Sequence, residues 1–173
     1  FSPDSQTLVS ASWDNTLKLW NLDGEPLRTL PNPGSSDGGE NRLVSVTFSP
    51  DGQTLAAGDW AGNIHWWHRD GTLLQTTSEH ENSVINLAFS PDGQTLASAS
   101  WDGTIQLWNL DGHVVKTLAG HATGTWDLEF TPDSQQLISG GGDGLMRIWQ
   151  LQPNGLSLLR GHRASLWGVA MAD

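Results

Sequence analysis

The chain has 173 residues, 36% of them hydrophobic, with ten tryptophans, no cysteine and a formal net charge of −11. Without cysteine there are no disulfides and no thiolate metal sites, and no apolar run is long enough for a membrane-spanning helix. Nineteen acids against eight bases weigh against two partners that need Lys and Arg, nucleic acid and an anionic membrane surface, so neither is expected.

Along the chain, the phrase Phe-Ser-Pro-Asp opens at Phe1 and returns at Phe48, Phe89 and, with Thr for Ser, at Phe130, in steps of 47, 41 and 41 residues. Trp20, Trp67, Trp108 and Trp149 keep the same steps. A fixed period of this size marks a tandem repeat. The predicted units are 1–30, 43–76, 83–118 and 124–160, with 164–171 starting another. Between the first two, Pro31 to Arg42 holds six extra residues, with Pro31, Pro33, Gly34, Gly38 and Gly39, and is expected to be a long mobile loop. In the second unit, His65 and His68 flank Trp66 and Trp67 on a predicted strand. Three apart, they face opposite sides of a sheet and do not share a metal.

The third unit is the cleanest. Ser83–Phe89, Thr95–Ser100, Thr104–Trp108 and Val114–Leu118 read as short strands. Ser90-Pro91-Asp92-Gly93, Asp102-Gly103 and Asp111-Gly112 supply the turns between them. His113 lies in the last of these hairpins and is expected to be solvated. In the fourth unit, Gly140-Gly141-Gly142-Asp143-Gly144 has no following Lys-Ser/Thr and opens a strand, so it is a loose hairpin rather than a phosphate loop. Four strands per repeat and no 3.6-residue apolar period indicate an all-β fold. A lone four-stranded sheet cannot cover both faces, and stacking copies around an axis gives a β-propeller. About four blades are expected, as an incomplete ring of four-stranded antiparallel sheets.

The spacing His121, Ser139, Asp143, Trp149, matched by His80, Ser98, Asp102, Trp108 and in part by Ser10, Asp14, Trp20, resembles the WD repeat over essentially the whole chain. The resemblance implies a hydrogen-bonded polar chain inside each blade. It also implies staggered blades, with Phe1 ending an innermost strand and His162 to Met171 forming another. The second copy has Ala57 and Ala61 where Ser and Asp would stand, so that blade is expected to lack the chain. A His, Ser and Asp that recur with the fold's period are structural, not a hydrolase triad, and no enzyme activity, cofactor or metal is expected.

Trp13, Trp60 and Trp101 stand beside the hairpin Asp position, and Trp126 and Trp167 precede the ends of innermost strands. The resemblance places these on the face that meets partners, and Trp is enriched at binding hot spots. Duplication of a repeat would also carry such a residue along without a role, and packing between blades would equally account for it. The expected function is a protein-interaction scaffold or sensor binding a peptide or domain, including other domains of the same parent chain. The alternative is carbohydrate recognition by the same indoles. Open blade edges leave room for self-association. The phrasing is similar to bacterial signalling arrays, and a cytoplasmic location is expected.

Overall fold

The computed structural model describes residues 1–34, 41–152, 155–159, 162 and 164–170. Every regular element among them is a strand. β1 (Leu8–Ala11), β2 (Thr16–Trp20) and β3 (Pro26–Pro31) make a three-stranded sheet. β4 (Leu43–Phe48), β5 (Thr54–Asp59), β6 (Asn63–His68) and β7 (Leu73–Ser78) make a four-stranded one. β8 (Val84–Phe89), β9 (Leu96–Ser100), β10 (Thr104–Trp108) and β11 (Val114–Ala119) make the next. β12 (Thr125–Phe130), β13 (Gln136–Gly141), β14 (Met146–Gln150) and β15 (Gly155–Leu159) make the last. Strands lie in chain order within each sheet. The fold is all-β, an incomplete propeller of about four blades in which no sheet closes on itself.

The chain divides into two compact units, Phe1–Leu87 and Ala88–Asp173, the division falling inside β8. In the first unit, Leu17, Leu19 and Leu30 of one sheet pack with Leu43, Phe48, Leu55, Ala57 and Trp67 of the other. In the second, Ala97, Ala99, Ile105, Leu107 and Leu118 pack with Leu128, Phe130, Leu137 and Trp149. Small residues on the second strand of a sheet let neighbours approach closely. A Cβ on Gly58 would sit 2.6 Å from the Val84 side chain.

The Ser-Pro-Asp phrase folds the same way in each copy because its side chains bond its own backbone. The Ser90 hydroxyl donates to the Asp92 carboxylate (2.6 Å) and accepts from Thr95 N–H (3.0 Å), while Asp92 Oδ1 accepts from Gln94 N–H (3.0 Å). Thr131, Asp133, Gln135 and Gln136 repeat this arrangement, as do Ser2, Asp4, Gln6 and Thr7. A hydroxyl that both donates and accepts competes with no ladder bond, which is why Ser, Thr and Asp suit the turn.

Residues 164–170 form no strand here; Leu166 N–H donates to Gly141 O (3.1 Å) beside the end of β13. Residue 171 lies outside the described residues, as do residues 35–40 of the loop expected to be mobile.

Candidate functional site

The hairpins joining β1 to β2, β5 to β6, β9 to β10 and β13 to β14 decide what is presented. Their backbones close by Asn15 N–H to Ser12 O (3.2 Å), Gly62 N–H to Asp59 O (3.4 Å), Gly103 N–H to Ser100 O (3.2 Å) and Gly144 N–H to Gly141 O (3.1 Å). The closing residue has a positive φ: 66° at Asn15, 90° at Gly62, 86° at Gly103 and 72° at Gly144. Asn and Gly tolerate that region where other residues are strained. Trp13, Trp60, Trp101 and Gly142 therefore occupy the first corner of the turn, the place that carries a side chain outward.

Behind each tip lies the polar interior. In the second unit, Trp149 Nε1–H donates to Ser139 Oγ (2.9 Å), and His121 Nε2 meets the same hydroxyl at 2.9 Å. His121 Nδ1 faces Asp143 Oδ1 at 3.0 Å. With the ring proton on Nδ1, every donor from indole to carboxylate meets an acceptor. Asp143 also accepts from Ala122 N–H (3.1 Å) and Leu145 N–H (3.1 Å). Burial alone would raise this carboxyl, but the bonds from His121, Ala122 and Leu145 outweigh it and hold the group at about 2. Arg147, absent from the expected chain, bonds Asp143 Oδ2 at 2.9 Å; its 2.6 Å approach to His121 Nδ1 is a hydrogen bond only in the other tautomer, with the ring proton on Nε2. Burial lowers the His121 pKa; the bond to Asp143 opposes that, and the Arg147 charge adds to the lowering.

Two other copies keep the indole-to-hydroxyl bond: Trp108 Nε1 to Ser98 Oγ at 2.8 Å and Trp20 Nε1 to Ser10 Oγ at 2.9 Å. Asp102 and Asp14 each cap their hairpin, accepting from the backbone N–H and hydroxyl of Thr104 (2.8 and 2.6 Å) and Thr16 (3.0 and 2.7 Å). His80 is buried at the end of the first unit.

The second copy corrects an expectation. It has a polar interior of its own, built from other residues. His65 Nε2 bonds Asp59 Oδ2 at 3.0 Å, with both side chains at 0% exposure, and His65 Nδ1 bonds Thr76 Oγ1 at 2.9 Å. Asp59 also accepts from Ala61 N–H (2.9 Å), Asn63 N–H (2.8 Å) and Asn63 Nδ2 (2.8 Å). Burial would raise Asp59, but His65 and Asn63 outweigh it and the carboxyl lies below its usual value. The carboxylate has moved two places earlier in the hairpin, which position-by-position matching with Asp102 and Asp143 cannot find.

The tryptophans form one cluster in each unit. In the first, Trp13 is 60% exposed and meets half-buried Trp60 edge to face, centroids 6.0 Å apart at 80°. The Arg42 guanidinium lies over the Trp13 ring at 4.7 Å. In the second, Trp101 is 37% and Trp167 71% exposed. Trp126, half-buried, meets Trp101 at 5.7 Å and 72° and Trp167 at 4.4 Å and 41°. Among the described residues, no group of three or more His, Asp or Glu is placed to hold a metal ion.

The family profile described as WD domain, G-beta repeat matches residues 1–21, 24–68, 71–109 and 112–150. The chain is a WD-repeat protein. No curated protein matches it. Among solved structures it is similar to the "Structure of U3-55K", 27% identical, with a TM-score of 0.84 over 95% of this chain. This WD-repeat chain spans about half, 51%, of that structure's length. WD-repeat propellers are non-catalytic, and the chain is a scaffold of the kind capable of protein or macromolecule binding through an exposed face.

Two expectations fall with the likeness to U3-55K. U3 in that name is an RNA, so the exclusion of a nucleic-acid partner is withdrawn. Physically, that exclusion rested on net charge, a sum over the whole surface that does not fix the field or the stacking groups of one face. The cytoplasmic placement, which had no residue behind it, is withdrawn on the same likeness. Nothing in these comparisons supports a bacterial source.

Proposed function

We propose that this WD-repeat chain holds a peptide segment or domain of a partner protein through its exposed tryptophans. The observation that carries the reading is the state of Trp13, Trp101 and Trp167: large, exposed, and each braced by a second indole. A braced indole loses little conformational freedom on binding and brings a large contact area. The half-buried Trp60 and Trp126 act as the braces. The polar interior fixes the hairpins on which Trp13, Trp60 and Trp101 stand, so the contact groups are positioned before a partner arrives.

The test is capture of the partner by the immobilised chain and by its Trp13→Ala, Trp101→Ala and Trp167→Ala variants, with melting temperature followed in parallel. The reading expects capture to weaken at least about tenfold while melting temperature stays, since each truncation removes a hot-spot type side chain and little core. Unchanged capture, or a large fall in melting temperature, would count against it. The carbohydrate reading has the open face of Trp167 in its favour. Glycan binding that is lost in Trp167→Ala, with no protein captured, would replace the protein partner by a sugar.

A further inference from the structure

The Ser-Pro-Asp turns of the first and third repeats place the same acceptors in the same way, and a guanidinium bridges them in the first. Arg69 Nη1–H donates to Asp4 Oδ2 at 2.9 Å, and Nη2–H donates to Thr7 Oγ1 at 3.0 Å. The other carboxylate oxygen, Asp4 Oδ1, accepts from the Ser2 hydroxyl and Gln6 N–H. In the third repeat, Asp92 Oδ1 accepts from the Ser90 hydroxyl and Gln94 N–H in the same manner. The counterparts of the two bridged atoms are Asp92 Oδ2 and Thr95 Oγ1. Among the described residues, neither has a hydrogen-bond partner.

The residue that stands in the second unit where Arg69 stands in the first is Leu151. Arg69 N–H donates to Gln53 O at 2.7 Å, and Leu151 N–H donates to Gln135 O at 3.0 Å. Leucine brings no donor. Beside it lies a cavity of about 420 Å³, whose lining includes Asp92, Thr95, Leu107, Val115, Lys116 and Leu151. That volume falls in the ~300–1,000 Å³ of ordinary ligand sites. The turn on its wall is held in place, because Asp92 N–H donates to Ser134 Oγ (3.2 Å) on the next sheet's turn.

We infer that this cavity takes an arginine side chain of a partner protein, its guanidinium bridging Asp92 Oδ2 and Thr95 Oγ1 and its aliphatic stem lying along Leu107 and Leu151. The first unit supplies the precedent within the same chain, since Arg69 makes that bridge to the equivalent pair. A planar guanidinium offers a donor to each acceptor at once, whereas an ammonium is a point charge. The Ser90 hydroxyl and Gln94 N–H hold the Asp92 carboxyl below its usual value, so it is ionised at neutral pH. Lys116 lines the same cavity, yet among the described residues it bonds neither acceptor. Asp92 is exposed, so the ion pair alone is worth little, and the apolar wall under the stem supplies the rest. The Ser-Pro-Asp turn joins β8 to β9 and the Trp101 hairpin joins β9 to β10, so this site lies at the other end of β9 and stands apart from the tryptophan-face reading.

The experiment titrates the full chain with an acetylated, amidated alanine peptide carrying one arginine. Its counterparts carry lysine, or citrulline, which is neutral and of the same shape. The backbone N–H resonances of Thr95, Leu107 and Leu151 report occupancy, and melting temperature checks the fold of each variant. The arginine peptide is expected to shift these resonances saturably and to bind at least about tenfold more tightly than either counterpart. Leu151→Arg supplies the guanidinium from within. Asp92→Asn keeps Oδ1 for the turn and removes the charge. Each is expected to weaken arginine binding at least about tenfold, and Trp101→Ala to leave it intact. No saturable shift, or equal binding of the arginine peptide and either counterpart, overturns the inference and leaves the tryptophan-face reading standing. Arginine binding that survives Asp92→Asn overturns it as well, and if that binding is lost in Trp101→Ala the arginine belongs to the tryptophan face.

Discussion

Replacing Asp143 by alanine removes the carboxylate on which His121, Ala122 N–H, Leu145 N–H and Arg147 converge. The largest consequence falls on Arg147, whose side chain is 6% exposed and keeps its charge. Taking one partner from a buried ion pair costs about 3–5 kcal/mol. Asp143 retains 10% exposure, so the lower end applies, about 3 kcal/mol, a large share of the ~5–15 kcal/mol that holds an ordinary domain together. Urea unfolding followed by tryptophan fluorescence measures it, with an unchanged denaturant slope as the control on compactness. Arg147→Met in the same background removes the stranded charge and is expected to recover about 1–3 kcal/mol as a coupling term. The exposed turn variant Gln94→Ala is expected to stay within about 0.5 kcal/mol of the parent. A loss for Asp143→Ala no larger than that control, or no recovery in the double variant, refutes the buried network.

His121 gives the chain a pH response: its folded pKa is lowered from 6.5, so the folded form binds fewer protons than the unfolded one. Its contribution to stability is complete above 6.5 and is lost as pH falls through that value to the lowered one; melting temperature between neutral and mildly acid pH reads it, and His121→Gln should flatten that limb. A second, acid limb comes from Asp143 and Asp4, both lowered from 3.8 to about 2, with their contribution lost as pH falls across that interval. In the first unit, His65→Ala leaves the buried Asp59 carboxylate without its imidazole and is expected to cost about 2–4 kcal/mol by denaturant unfolding. Gly58→Ala forces a methyl to within 2.6 Å of Val84 and is expected to lose about 1–3 kcal/mol in the same assay.

The repeat phase, the turns and the tryptophan corners were legible because each depends on local chemistry. Ser-Pro-Asp closes on its own atoms, and a residue fixed at a hairpin corner stays at that corner in every copy. What was not legible involved groups that meet through space from positions without a fixed spacing. Asp59 serves His65 from two places earlier than Asp102 or Asp143 stand, so matching by position returned Ala61 and suggested an apolar blade. Arg147 sits where His65 and Gln106 stand in other copies, and its partner is visible only once the strands are paired. Trp126 fills the room left by Gly142 from a neighbouring strand. An acidic total likewise said nothing of which atoms face a partner.

The Asp59–His65 pair has a consequence for a chain made of near-copies. β5 and β9 both begin within a Gln-Thr-Leu-Ala phrase, and each pairs with the next strand at the same register, Ala57 to His65 and Ser98 to Gln106. A strand that took the wrong neighbour during folding would set Asp59 beside Gln106 and deny it an imidazole. Differently wired interiors thus act as keys, letting almost identical pieces tell their own mates from their twins.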